Sequence, residues 1–196
     1  MRSAASPRAG ESAPIPFPRA PDPDARWQKP LRAILGYVEF FGLAFWIGGL
    51  ATLALLAPLL FQTIPSRDLA GEVFGRSLDR ILPLLAICVG LLICATATRQ
   101  AIDRPSDPLG FINWLVVIAM AGIIGYVILG VIGEMRILRM AMPLPLESTA
   151  PDDPLRVAFN AVHRRAEQMM AVAFVLGLIL VPLLRRRWHA DRVTWP

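Results

Sequence analysis

The sequence predicts an all-α integral membrane protein, a four-helix bundle with a short interfacial helix between spans one and two. Three observations predict it. The stretch Phe40 to Phe61, FFGLAFWIGGLATLALLAPLLF, runs for 22 residues without an ionisable side chain. At about 1.5 Å per helical residue such a run reaches about 30 Å, the hydrocarbon thickness of a bilayer. Two more uncharged runs come later in the chain, Ile81 to Thr98 with 18 residues and Leu109 to Gly133 with 25. Finally, 55% of the residues are hydrophobic and only 18% charged, against about a quarter charged in ordinary soluble domains.

The net charge of +5 and sequence pI near 10.2 raise the question of nucleic acid. The basic residues sit mostly beside the apolar runs, where they set orientation and anchor headgroups, so no nucleic-acid partner is expected. Cys88 and Cys94 fall about 240° apart around one helix, cannot bridge each other, and read as small apolar fillers.

Residues 1–30 carry seven prolines among Ser, Ala, Arg and Asp and read as a Pro-rich polar arm preceding a transmembrane domain over 31–187. Span one is expected at about 31–61, starting behind Pro30, with Trp27 and Tyr37 at the interface. Its one charge is Glu39. With Gly49 as zero, Gly42 falls at about 20°, Trp46 at about 60° and Glu39 at about 80°, so the carboxylate shares a stripe with the residues that let helices approach closely. Pro65 and Ser66 end the segment, and Ser66 offers an N-cap to the next helix.

Ser66 to Arg80 places Leu69, Val73, Phe74 and Leu78 at helical spacing among charges, the pattern of an interfacial helix. Span two is expected at about 78–100 and closes at Arg99. A link with Pro105 and Pro108 leads to span three, at about 109–135. Its glycines, Gly122, Gly125, Gly130 and Gly133, lie at about 0°, −60°, 80° and 20°, one nearly flat face suited to close backbone packing. Met142 to Pro154, with four prolines, is expected to be an exposed loop. The last apolar run, Met169 to Leu184, has only 16 residues, too few to span alone. Span four must therefore start near Pro154, at about 155–184, and it ends on Arg185, Arg186 and Arg187. Residues 188–196 read as a loose tail.

Four spans put both termini on one side. Twelve basic residues fall on that side and eight on the other, a bias that places the termini in the cytoplasm. The expected location is a bacterial cytoplasmic membrane.

The stretches AFWIGGLATLALLAPLLF and QTIPSRDLAGEVFGRSLDRI, with FNAVHRRAEQMM later, resemble the DUF4149 family. The resemblance covers roughly residues 38 to 184. It implies a four-helix membrane protein and brings no settled activity, cofactor or catalytic residue. A weaker similarity, to copper-resistance-D-like and haem-pathway four-span proteins, rests on the Trp-Ile-Gly-Gly element, and span one has no histidine.

Candidate chemistry sits at the two ends of the bundle. At the inner end Glu39 and Arg99 are expected to pair, since an ionised carboxylate inside a bilayer needs a partner. The alternative is a carboxylate that carries a proton. At the outer end gather Asp79, Arg80, Glu134, Arg136, His163, Arg164 and Glu167. His163 and Glu167, four apart, share a helix face with Phe159 above them, a polar cap or a proton or ligand site. No metal site is expected, because His163 and His189 fall on opposite sides, and no cofactor is expected either.

No GxSxG, HExxH or Walker loop is present, so no catalytic residues are assigned and an enzyme is not expected. The favoured role is a structural or accessory subunit packing with other membrane protein subunits in the lipid bilayer. The alternatives are a small transporter or permeation protein using Glu39 and the His163, Glu167 pair, and a membrane enzyme of haem or quinone chemistry.

Overall fold

The computed structural model describes residues 23–102 and 108–193, and every regular element among them is helical. Most of the polar arm, the proline link after span two and the last three residues lie outside the described residues.

Helix α1 runs Pro23–Thr63, α2 Arg67–Ile102, α3 Pro108–Tyr126, α4 Ile132–Ala141 and α5 Pro154–Val193. Between α3 and α4 a π turn, Val127–Val131, joins the two into one long span. Its wider bonding shows in the N–H of Ile132, which donates to the carbonyl of Val127. No residue type sets this turn apart in the sequence, because the glycine it holds, Gly130, has counterparts at Gly125 before it and Gly133 after it.

Helix α1 begins earlier than its pattern predicts. Pro23 occupies the first turn, where a missing N–H removes no intrahelical bond, and the helix continues through Pro30. At the far end Ser66 caps α2, its Oγ accepting from the N–H of Leu69 at 3.3 Å. The expected interfacial helix is not separate: residues 67–80 and the second span form the single 36-residue α2. Nothing between Arg80 and Ile81 interrupts the ladder, and Pro83 removes only one bond from it. Asp153 starts α5 at Pro154 as expected, accepting from the N–H groups of Leu155 and Arg156 at 2.8 and 3.3 Å.

Helix α1 packs on α2 and α5, and α3 packs on the same two, so α1 and α3 occupy opposite corners of a four-helix bundle. The start of α1, the end of α2, the start of α3 and the end of α5 share the terminal end; the connections at 64–66 and 142–153 share the loop end. Along the axis the core is Trp46, Leu85, Leu92, Met120, Leu180 and Leu184, all buried.

The Trp-Ile-Gly-Gly element ties α1 to both neighbours. Trp46 donates its indole N–H to the carbonyl of Ala173 at 3.0 Å. A Cβ on Gly177 would come within 2.8 Å of the Trp46 ring, and one on Gly49 within 2.9 Å of Leu85 on α2. The absence of side chains at these two positions lets α1 approach α5 and α2.

The outside is apolar. Leu55 is 74% exposed and Leu129 85%, with Phe45, Phe111 and Leu115 also bare. Among the described residues four helical segments are long and apolar enough to cross a membrane: 30–63, 67–102, 110–141 and 154–186. At most a third of each segment's most apolar window is buried within the bundle. Such a surface is stable against lipid chains and costly against water, at about 25 cal/mol for each Å².

Candidate functional site

At the terminal end the structure brings Glu39 and Arg99 together. Both are buried, and Arg99 Nε lies 3.4 Å from Glu39 Oε2. Helix α1 also supplies the carbonyl of Arg32, which accepts from Arg99 Nη2 at 3.0 Å. Helix α5 supplies Trp188, whose indole N–H donates to Glu39 Oε2 at 3.3 Å. A side chain at Gly36 would intrude here, its Cβ 3.1 Å from Arg99 Nη2 and 3.7 Å from the indole nitrogen. Three helices thus meet on one ion pair. A carboxylate with hydrogen bonds and a guanidinium partner is the arrangement that keeps a buried charge tolerable.

Sequence reasoning misses Trp188 and Gly36. It places Trp188 in a tail beyond the arginine cluster, yet α5 continues through it. A signal exists: Ala173, Gly177, Leu180, Leu184 and Trp188 recur at helical spacing on the face that α5 turns inward.

The loop end is a set of separate clasps. Arg136 pairs with Asp79. Arg165 lies 3.6 Å from Glu134, and its Nη1 is 3.5 Å from the Tyr126 hydroxyl. His163 Nε2 lies 3.2 Å from Glu167 Oε1, and its ring stacks on Phe159 with centroids 6.3 Å apart. Glu134 and Arg136 therefore bond to different helices, and the His163, Glu167 pair stands on its own helix, His163 half-buried and Glu167 exposed. Among the described residues no three His, Cys, Asp or Glu side chains converge as a metal would need.

The proline-rich loop is mostly exposed but pinned. Asp68, near the start of α2, accepts from Arg139 Nη2 at 2.8 Å and from the N–H of Leu146 at 3.2 Å. Glu147 accepts from the N–H of Arg67, and Arg156 donates to the carbonyl of Thr149. Asp68 and Arg139 carry no periodic signal that pairs them from sequence.

The two polar ends do not form one site. Trp188 touches Glu39, and His163 lies 25 residues earlier on α5, about 37 Å away along the helix. Trp46, Leu92, Met120 and Leu180 fill the interval.

The glycines divide into two sets. Gly42 and Gly49 pack inward, Gly42 with its Cβ position 3.3 Å from Leu92 and 3.5 Å from the carbonyl of Cys88. Gly122, Gly125 and Gly133 meet nothing within 4 Å, and Gly130 meets only the Tyr126 ring of its own span. With Gly122 as zero, the buried Asn113, Met120 and Ile124 lie at about 180°, 160° and 200°, so this glycine faces directly away from the bundle. Among the described residues the third-span glycines pack against no other helix.

A bundle of four long apolar helices, lipid-compatible outside and pinned by a buried ion pair, defines a four-span integral membrane protein. The family model DUF4149, described as a domain of unknown function, matches residues 41–140, and the chain belongs to that family. The matched residues include Arg99 and the third-span glycines; Glu39 and the whole of α5 lie outside them. No curated protein and no solved structure matches the chain.

Proposed function

We propose that the protein is a non-enzymatic accessory subunit that docks onto a membrane-crossing helix of a larger complex through the outward face of its third span. One observation carries the reading. Phe111, Leu115, Ile118, Gly122 and Leu129 form an exposed stripe on that face, and Gly122 is a notch among large side chains with open space above it. In lipid, such a notch favours close backbone approach by a second helix, because apolar burial alone drives no association there.

The Glu39 and Arg99 pair supports the same role. Bonded to Arg32 and Trp188, it holds helices together within the subunit. The membrane we assign is a bacterial cytoplasmic one with both termini inside; the basic-residue bias supports that orientation, and the exposed Arg185 and Arg186 follow the apolar run of α5 on that side. Gentle detergent extraction followed by size analysis tests the proposal. The expected result is a co-migrating assembly that Gly122→Leu disperses without loss of the folded subunit. A lone wild-type monomer at ordinary yield overturns it.

A further inference from the structure

The bundle interior contains a polar side chain that neither the ion pair nor the docking face uses. Asn113 is 0% exposed, and neither its Oδ1 nor its Nδ2 has a hydrogen-bond partner among the described residues. It stands on α3 in line with Val116, Val117 and Met120, all buried, so its amide is aimed into the bundle. On the neighbouring α2, the buried Oε1 of Gln100 likewise has no partner among the described residues, and Thr96 is buried one turn before it. All three residues lie within about two turns of the end of α2 or the start of α3, at the terminal end.

A buried amide offers two donors and an acceptor, and burying these unmet in an apolar interior is strongly unfavourable. Hydrocarbon from the membrane cannot meet them. Internal polar groups of this kind are met by ordered water, which needs two to four polar partners and both accepts and donates.

We propose that the terminal half of the bundle holds a bound-water site at Asn113, between α2 and α3, with Nδ2 donating to the water, Oδ1 accepting from it, and Gln100 and Thr96 as further polar neighbours. The site is independent of the docking face, which lies on the opposite side of α3. Its occupant is water rather than an organic ligand because the surroundings are packed valine and methionine. The bound water lies at the end of the bundle where Glu39 and Arg99 pair.

Radiolytic hydroxyl labelling of the full chain in phosphatidylcholine nanodiscs tests this, because radicals form at bound waters and oxidise the side chains beside them. Val117, one turn from Asn113, and Val89 on α2 are the same residue type and equally buried, at 1% and 2%. The expected result is oxidation of Val117 several-fold faster than of Val89, falling to the Val89 rate in Asn113→Leu. Equal rates in the wild type, or an excess at Val117 that survives the substitution, overturn the proposal. Should Asn113→Leu not accumulate, Asn113→Ala, which removes the amide with less added apolar bulk, is read in the same way.

Discussion

Replacing Glu39 with Leu leaves the Arg99 guanidinium inside the bundle without the carboxylate it pairs with. Arg99 is 2% exposed, and a Cβ at Gly36 would lie only 3.1 Å from its Nη2, so α1 crowds the side chain and leaves it little room to turn toward water. Removing one member of a buried pair costs about 3 to 5 kcal/mol, whereas replacing both with apolar residues is close to neutral. At about 2 to 4 °C per kcal/mol for a chain of this size, Glu39→Leu lowers the midpoint of thermal unfolding by about 6 to 20 °C. Arg99→Leu falls by a similar amount. The double variant recovers most of the loss, and Glu39→Gln, which keeps an acceptor for Trp188, lies between. The assay is thermal unfolding of the purified chain in detergent. A Glu39→Leu midpoint within about 3 °C of wild type, or a double variant that falls by the sum of the two single changes, refutes a pair that holds the helices together.

Gly177→Ala adds a methyl against the Trp46 ring and destabilises by about 1 to 3 kcal/mol, whereas Gly122→Ala, with open space above it, leaves thermal stability unchanged or raised by up to about 1 kcal/mol. Equal effects at the two positions contradict the division into inward and outward glycines. Trp46→Phe removes the hydrogen bond to Ala173 and lowers stability by about 1 to 2 kcal/mol, read in the same unfolding assay. Asp68→Ala releases Arg139 and Leu146, so limited proteolysis cuts between residues 142 and 153 faster than in wild type, while stability changes by less than about 2 kcal/mol.

The membrane class and the apolar spans are legible because lipid imposes length and apolarity, two properties a sequence states outright. Arg99 and Glu39 are legible as partners because charges inside apolar runs have few places to go. The rest depends on three dimensions. Whether Gly122 faces a sister helix or the outside is decided by which side of α3 carries Asn113, Met120 and Ile124, and small-residue spacing alone looks the same for both. The π turn at 127–131 leaves no compositional trace. A separate interfacial helix is the natural expectation where charges re-enter at 66–80, but charge alters which face is wet and does not by itself end a helix. Trp188 escapes a reading that takes three arginines as a stop, because arginine forms helices well.

Helices α1 and α5, at 41 and 40 residues, are each about 60 Å long, beyond the roughly 40 to 45 Å of a whole bilayer. The first turns of α1 and the last turns of α5 lie at the same end of the bundle, and the bond from Trp188 to Glu39 rivets the two rods there. A pull on the end of either rod therefore loads that rivet and, through Glu39, the arginine of α2.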